Sequence, residues 1–468
     1  MKRWMILGLG LAILLMGIQP ASAAMKHLDP RTLVIALKNE QFSSIQEAVK
    51  SANPGDTLVI KPGLYHERVV LDKPLKLLGE GDPVLDGGGR GDVITVLADH
   101  VTIQGLVVTN SGQDLSKDEA GIKVKSSHNL ITRNKITKNT WGIYLYEAND
   151  NVVSHNLIKG NTELAEPSRG NGIHLWKSDR NTCDNNELVE NRDAFYLSFA
   201  NHNTISNNMA YGQRYGIHYM YSNHNSLLQN VLHDNLGGIA MMNSSFNTIR
   251  KNQTYRNSND GILVKDLDDN IIEENISFNN RQAMFMYNCN RNKVSNNLFA
   301  ASLVGLNITA GSDENIFIRN NWVENVSQVK VDDPLKNRWD DGVNGNYWSN
   351  YTGYDLDDNG TGDVIYWQSQ LVENLIKEVP VIKLLFNSPA MQAIQLAEKA
   401  FPVLRSAGVI DHFPVMRPTI DFKKLSIDWN MQFKDNGPID TGHDMAEFHH
   451  DDGTGEMDME EDMHAHDM

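Results

Sequence analysis

Apolar and polar side chains repeat along this chain with a period of about 22 residues. Each unit opens with Asn, has an apolar residue two positions later and carries another Asn five positions after the first. The starts Asn203, Asn225 and Asn247 are separated by 22 residues each. A fixed period of this length predicts a solenoid in which every unit stacks on the next. The nine starts are Asn129, Asn151, Asn181, Asn203, Asn225, Asn247, Asn270, Asn292 and Asn315.

A second strand is predicted in each unit by a small residue followed by alternating side chains, as in Gly142-Ile-Tyr-Leu and Gly216-Ile-His-Tyr. Because successive side chains of a strand point to opposite faces, an inward Ile143 or Ile217 leaves Tyr144 or His218 on the outside. We predict that two outward columns form a surface for a partner or a ligand. Stacked aromatic rings are also ordinary stabilisers of β-ladders, so a purely structural role for these columns stays open. The predicted face consists of Tyr144, His174, Trp176, Tyr196, His218, Met220, Met242, Phe285 and Tyr287.

The recurring Asn residues are predicted to form the corners of the coil. Asn tolerates left-handed backbone angles and hydrogen-bonds to its own kind in stacked rows. Cys183 occupies a position that is apolar in the other units, which indicates a small core residue. Cys289 lies about four rungs away, ~19 Å at the usual strand spacing, so no disulfide is expected between the two.

The pattern as a whole predicts an all-β chain. Residues 43–52 favour a short amphipathic helix, since Ile45, Ala48, Val49 and Ala52 share one face. This N-terminal stretch resembles that of pectin-lyase-like right-handed parallel β-helices, in which a helix covers the open end. Helical patterns return at residues 371–376 and from Ser388-Pro389. The predicted divisions are a signal peptide (1–23), an N-terminal cap (24–56), a parallel β-helix (57–330), an irregular and helical C-terminal cap or docking region (331–434) and a disordered tail (435–468).

Charge and the first residues bear on location. The formal net charge of −17 argues against a nucleic-acid partner, which would need clustered Lys and Arg. Lys2 and Arg3 precede an apolar run and the small residues 21–23, a pattern typical of a secretory signal. The run is shorter than the ~20 residues of a membrane span, which disfavours an anchor. We predict an exported protein that starts at Ala24.

The last 28 residues hold five His, five Met and ten Asp or Glu, with neither Lys nor Arg. Thioether sulfur selects cuprous copper and imidazole accepts either copper ion, so the tail is predicted to capture copper. The alternative is an acidic solubilising tail in which these residues are incidental. The predicted copper ligands are His443, Met445, His449, His450, Met457, Met459, Met463, His464 and His466.

Residues 355–363 place oxygen ligands at alternate positions and Gly360 at the sixth, like the start of a calcium loop. The twelfth position is Tyr366 instead of an acid, which argues against a full EF-hand loop. A shorter calcium site and an Asx-turn without metal both fit. The predicted calcium ligands are Asp355, Asp357, Asn359 and Asp363.

Three segments carry a family resemblance: residues 345–351 with the acidic loop, Leu384-Leu-Phe-Asn-Ser-Pro-Ala-Met391, and His412-Phe-Pro-Val-Met-Arg-Pro418. Together with the export signal and the Asn-rich coil they resemble the NosD family of nitrous oxide reductase maturation proteins. The resemblance implies a periplasmic assembly factor that works with an ABC transporter (an ATPase and a permease), a copper chaperone and nitrous oxide reductase, whose copper–sulfur centre it helps to build.

An enzymatic role is the alternative, because pectin-lyase-like scaffolds commonly cleave or epimerise acidic polysaccharides. Such chemistry needs paired carboxylates or an Arg and carboxylate set on one rung. The outward columns are nearly free of acids, and Asp193, Asp260 and Glu273 occur singly at turn or corner positions. We therefore predict that the protein is not an enzyme, with a carbohydrate-binding or polysaccharide-modifying β-helix as the alternative.

Overall fold

A computed structural model of the protein describes residues 29–38, 40–369 and 408–429, together with the isolated positions 389, 393 and 397. In these ranges three parallel sheets of 13, 13 and 12 strands, here called A, B and C, wrap around one core. The chain visits C, A and B in turn, for example through Trp141–Tyr146, Val152–Ser154 and Leu157–Lys159. The predicted right-handed parallel β-helix is confirmed.

The strands are numbered in chain order. Sheet A contains β1 (Thr32–Ile35), β2 (Thr57–Ile60), β5 (Lys76–Gly79), β8 (Thr102–Gln104), β11 (Leu130–Thr132), β14 (Val152–Ser154), β17 (Thr182–Asp184), β20 (Thr204–Ser206), β23 (Ser226–Leu228), β26 (Thr248–Arg250), β29 (Ile271–Glu273), β32 (Lys293–Ser295) and β35 (Ile316–Ile318). Sheet B contains β3 (Leu64–Tyr65), β6 (Val84–Asp86), β9 (Val107–Thr109), β12 (Lys135–Thr137), β15 (Leu157–Lys159), β18 (Glu187–Val189), β21 (Met209–Tyr211), β24 (Val231–His233), β27 (Gln253–Tyr255), β30 (Ile276–Phe278), β33 (Leu298–Ala300), β36 (Asn321–Val323) and β38 (Tyr347–Trp348). Sheet C contains β4 (Val69–Leu71), β7 (Ile94–Val96), β10 (Ala120–Val124), β13 (Trp141–Tyr146), β16 (Ile173–Trp176), β19 (Asp193–Ser198), β22 (Tyr215–Met220), β25 (Gly237–Met242), β28 (Asp260–Lys265), β31 (Gln282–Tyr287), β34 (Val304–Thr309) and β37 (Ser327–Val331). The remaining elements are the antiparallel pair β39 (Tyr366–Ser369) and β40 (Gly408–Asp411), the helix α1 (Ile45–Ser51), and the 3₁₀ turns Leu115–Lys117, Glu166–Ser168 and Pro334–Lys336.

The core consists of side chains that stack in rows from rung to rung. In sheet A the short strands each contribute one fully buried residue to a row that includes Val153, Cys183 and Ile205. Cys183 and Cys289 are both free and buried. The Cys289 thiol donates to the carbonyl oxygen of Tyr287 at 3.2 Å, so it holds a corner and is not part of the apolar row.

The recurring Asn residues form continuous hydrogen-bond ladders inside the corners. Asn230 is fully buried, its Oδ1 accepts from the backbone N–H of Asn208 at 3.0 Å, and its Nδ2 donates to the carbonyl oxygen of Ile205 at 2.8 Å. The stacked rows are as expected, but the expected left-handed angles lie elsewhere. From Asn129 to Asn325 the left-handed residue is the one before the ladder Asn, as at Gln229 (57°) before Asn230, and the ladder Asn follows the turn.

The N-terminal end is closed by α1, whose Ile45, Ala48 and Val49 are buried. The Glu67 carboxylate accepts from the Ser44 hydroxyl at 2.8 Å and from the Ile45 N–H at 2.7 Å, which satisfies free donors at the helix start. Residues 24–56, predicted as the cap, also contain the first strand of the coil, since β1 pairs in parallel with β2.

The region after residue 330 first adds a further strand to the coil and then covers its C-terminal end. Strand β38 pairs in parallel with β36, and Trp348 stacks on Tyr366 with ring centroids 4.1 Å apart. The buried carboxylate of Asp411 accepts from Trp348 Nε1 at 2.9 Å. Of the helix predicted from Ser388-Pro389, the described positions 389, 393 and 397 are helical. The helical pattern at 371–376, the signal peptide and the tail lie outside the described residues.

Candidate functional site

Two columns of side chains run along the outer face of sheet C in the register that alternation predicts. Strand pairing aligns His174 with Tyr196, Tyr196 with His218, and Met220 with Met242. Tyr144 and His174 stack with ring centroids 4.6 Å apart, and Tyr196 meets each flanking imidazole edge-on at 4.9 Å. The columns comprise Tyr144, His174, Tyr196, His218, Ala240, Leu263 and Phe285 beside Tyr146, Trp176, Ser198, Met220, Met242, Lys265 and Tyr287.

The face is less accessible than the expected open surface. The members that are buried, with at most 8% of the residue's surface exposed, are Tyr144, His174, His218, Met220 and Phe285. The half-buried members are Trp176, Tyr196, Met242 and Tyr287. The rings cover one another because each fills the space above its neighbour on the next rung. The first column is therefore largely buried, and its role as a surface for a partner or a ligand stays a prediction.

An ionic cluster that the sequence did not indicate lies at the edge of this face. Arg214 donates to both carboxylate oxygens of Asp193, at 2.9 and 2.7 Å, and His218 Nδ1 lies 3.1 Å from Asp193 Oδ2. The side chain of Asp193 is only 1% exposed. The sequence alone places Asp193 singly at a turn or corner, because nothing local shows that Arg214, 21 positions later, lies beside it on the next rung.

Hydrogen bonding assigns the tautomer of His218. The Asp193 carboxylate can only accept, so Nδ1 of His218 carries a proton and donates it to Asp193. Although burial tends to raise the pKa of Asp193, the charge and hydrogen bonds of Arg214 hold that pKa well below its usual range. Nε2 of His218 is buried and has no hydrogen-bond partner within the described part of the chain. This site combines a fixed carboxylate and an imidazole on one column with two methionines, Met220 and Met242, on the neighbouring column.

Exposed aromatic rings form a second feature, at the corner between sheets C and A. Phe199 stacks on Tyr221 at 5.1 Å, and His224 stacks on Phe246 at 5.1 Å. Phe199, Tyr221 and Phe246 are 49%, 45% and 54% exposed. All of these residues have positive φ, where bulky side chains are uncommon. We call the set Phe199, Tyr221, His202, His224 and Phe246 the aromatic corner; its columns were not predicted, because the sequence does not show which corner residues project.

Comparison with known proteins decides the family. The sequence model of the family described as "Periplasmic copper-binding protein (NosD)" matches residues 84–168 and 154–353. The chain belongs to the NosD family. A relative from Pseudomonas aeruginosa named "Probable ABC transporter binding protein NosD" is 40% identical over 371 residues, 76% of this chain and 87% of that protein. A relative of the same name from Stutzerimonas stutzeri is 35% identical over 372 residues, 76% of this chain and 85% of that protein.

Solved structures similar to this NosD-family chain share its fold. The A-module of mannuronan C-5 epimerase AlgE6 from Azotobacter vinelandii has a TM-score of 0.53 at 16% identity, over 63% of this chain and 91% of that one. A mannuronic acid specific family 6 polysaccharide lyase from human gut microbiota has a TM-score of 0.51 at 14% identity, over 68% and 86%. At such low identity the likeness extends to the β-helix alone.

The predicted calcium loop directs its oxygens at its own backbone. The Asp355 carboxylate accepts from the N–H of Gly360 at 2.8 Å and of Asn359 at 3.2 Å, and Asp363 accepts from the N–H of Leu356 at 2.7 Å. Asn359 Nδ2 donates to Asp357 at 2.8 Å. Among the described residues, no group of three or more His, Cys, Asp or Glu side chains is arranged to hold a metal ion.

The predicted copper ligands of this NosD-family chain, His443 to His466, lie outside the described residues. None of the helices in the described ranges has the length and apolarity that crossing a bilayer requires.

His174 gives a pH prediction. Burial lowers its pKa from 6.5 to about 3, so the folded protein keeps this imidazole neutral while the unfolded chain protonates it below pH 6.5. Stability should therefore fall as the pH drops from about 6.5 towards 3, by about 2 kcal/mol at pH 5. We expect His174→Phe to remove this acid sensitivity and, since neither ring nitrogen of His174 has a hydrogen-bond partner among the described residues, to leave the protein at least as stable at pH 7.

Urea unfolding of the two proteins between pH 5 and pH 8 measures this effect. The exposed His202→Phe variant is the control, since its imidazole is accessible to water in both states. Parallel pH profiles for wild type and His174→Phe would contradict the prediction.

Proposed function

We propose that this protein is a periplasmic assembly factor for the copper–sulfur centre of nitrous oxide reductase. In this role it acts with the ATPase and permease of an ABC transporter, receives copper from a chaperone and presents it to the reductase. The observation that carries the proposal is the 40% identity, over 87% of its length, to a relative named as an ABC transporter binding protein of the NosD family. The family description adds copper and the periplasm.

The test is complementation of a denitrifying host that lacks its own NosD-family protein. We expect this chain to restore a reductase that contains copper and sulfide in its catalytic centre, measured by copper content and visible absorption of the purified reductase. Co-purification from membranes with the ATPase and the permease is expected in the same cells. A reductase that stays without the centre while the protein accumulates in the periplasm would overturn the proposal.

Partner docking is proposed at the aromatic corner, not at the buried rings of sheet C. Exposed aromatic patches mark protein interaction sites, and Phe199, Tyr221 and Phe246 are 49%, 45% and 54% exposed. Replacing Phe199, Tyr221 and Phe246 by Asn, which tolerates positive φ, should preserve the fold and reduce recovery of partner proteins. Unchanged recovery of every partner would remove the aromatic corner from the interface.

The tail is proposed to concentrate copper. Truncation at Asn436 should abolish most copper binding at equilibrium dialysis, because it removes all nine predicted tail ligands. The matched control keeps the full length and the acidic residues but replaces the tail His and Met by Ser. Equal copper retention by full-length and truncated protein would contradict this prediction.

A calcium ion at Asp355, Asp357, Asn359 and Asp363 stays a proposal. The ion would bind the side-chain oxygen lone pairs that do not already accept from the backbone N–H groups of the loop. The thermal midpoint of unfolding should then be higher in calcium than in chelator. Equal midpoints would assign these residues to Asx-turns alone.

A role in polysaccharide chemistry is the alternative, and an activity assay separates it from the assembly role. If the protein is an assembly factor, a mannuronan or polygalacturonate solution incubated with it is expected to keep its chain length and uronate composition. Measurable lyase or epimerase turnover by purified protein would favour that alternative.

A further inference from the structure

Two imidazoles in the outer face of sheet C have buried ring nitrogens without a hydrogen-bond partner among the described residues: His174 at both nitrogens and His218 at Nε2. Of the two, His218 is the one anchored through its other nitrogen. Leaving a buried polar atom unsatisfied costs about 1–3 kcal/mol. The opposite nitrogen is anchored at 3.1 Å on Asp193, and Asp193 is itself held by Arg214. An imidazole fixed through Nδ1 by a carboxylate, with a bare Nε2, is the arrangement that metal-binding histidines use.

His218 is flanked in its own column by Tyr196 and Ala240, and two methionines lie beside it in the second column. Met220 is two residues after His218 on β22, so both project from the same face about 6.6 Å apart. Met242 is the strand partner of Met220 on the next rung, at the usual spacing of about 4.8 Å. A histidine and two methionine side chains can converge across such distances.

Small residues flank these three side chains within the two columns. On the rung after His218 the first column has Ala240, and on the rung before Met220 the second column has Ser198. Neighbouring rungs carry rings at the same positions, such as Tyr196 and Trp176. At the level of Met242 the first column thus has no ring of its own, and the ring of Tyr215 packs in one cluster with Ala240 and Met242.

The chemistry of the set selects one kind of ion. Neutral imidazole and thioether donors are suited to soft cuprous copper, whereas calcium, magnesium and manganese prefer oxygen ligands. Met220 is 8% exposed and His218 5%, so an ion bound there would be shielded from water. Resting on the proposed function, we infer that Nε2 of His218 and the thioethers of Met220 and Met242 hold one cuprous ion as cargo on sheet C.

The test uses the full-length chain in which the tail His and Met are replaced by Ser, so that tail binding does not mask the site. Cu(I), kept reduced with ascorbate, is titrated in competition with bicinchoninate. We expect one equivalent to bind tightly, with sulfur scattering in the copper X-ray absorption spectrum. The double substitution Met220→Leu with Met242→Leu conserves volume and should preserve the fold. It should weaken Cu(I) binding by at least about 100-fold and remove the sulfur signal. Substituting a residue that only supports a metal ligand usually weakens binding by about 10–100-fold.

Matched controls lie on sheet B. Met209→Leu removes a methionine that is 42% exposed. His233→Phe removes another imidazole whose Nδ1 meets a carboxylate, Asp234 at 2.6 Å, but whose ring is stacked between Tyr211 and Tyr255. Both variants should bind Cu(I) as the parent does, and His218→Phe should bind as weakly as the double methionine variant.

Two outcomes would overturn the inference: the folded double methionine variant binding Cu(I) as tightly as its parent, or the sheet B controls losing as much affinity as the sheet C variants. Its failure is separable from failure of the proposed function. Cu(I) affinity is measured on the isolated protein, whereas the assembly role is measured by maturation of the reductase in cells.

Discussion

Replacing Asp193 by Ala should destabilise the protein by about 3–5 kcal/mol, the usual cost of leaving one member of a buried ion pair alone. The side chains of Asp193 and Arg214 are 1% and 14% exposed, and the pair has two hydrogen bonds, at 2.9 and 2.7 Å. The substitution also removes an acceptor from His218 Nδ1. The shift in the urea unfolding midpoint measures the loss.

The chain supplies a matched control in the exposed pair of Asp234 and Arg256. It has the same two-bonded geometry, at 2.9 and 2.7 Å, but both side chains are 47% exposed. Asp234→Ala should cost at most about 1 kcal/mol, because solvent screens exposed pairs. The double variant Asp193→Ala with Arg214→Ala should be more stable than the sum of the single effects predicts, since no unpaired charge is left. Equal losses at the buried and exposed sites would contradict this prediction.

Asn230→Ala should cost about 3–5 kcal/mol, because it leaves several buried groups without partners at about 1–3 kcal/mol each. The carbonyl oxygen of Ile205 loses its bond from Asn230 Nδ2. The backbone N–H and the Nδ2 of Asn208 both lose their bonds to Asn230 Oδ1. Asn230 Nδ2 also donates to Asn252 at 2.9 Å, so the ladder breaks in both directions.

Asn223→Ala is the control for the ladder. Asn223 lies on the same rung but is half-buried, and its Oδ1 accepts one bond, from Ser245 at 2.7 Å. We expect a loss of about 1 kcal/mol or less, which is the usual net value of one hydrogen bond near solvent. If the two variants unfold at the same urea concentration, the ladder does not stabilise the coil as described.

The ladders show how far a sequence pattern reaches. The third Asn row is interrupted in sequence by Gln213 and Ser302, yet both continue the ladder, since Gln213 Oε1 accepts from Asn191 at 2.7 Å and Ser302 Oγ accepts from Asn280 at 3.3 Å. A Gln or Ser side chain can therefore replace Asn in the ladder when its oxygen lies within hydrogen-bond distance of the backbone N–H on the preceding rung. The left-handed angle one residue earlier was not predicted, because residues as different as His128, Arg180 and Phe246 occupy it.

The sequence by itself determined the period, the fold and the register of the outward columns. These follow from local rules: side chains alternate along a strand, and a constant repeat places equal positions one above another. The tertiary structure alone decided the rest. It joined Asp193 to Arg214 and His218, buried most of the predicted face and exposed the aromatic corner. The two contacts of Asp193 join residues 21 and 25 positions apart, on neighbouring rungs. No local sequence pattern specifies the path of the chain between them, so the charge pairs and the accessibility of each side chain are set only when the rungs stack.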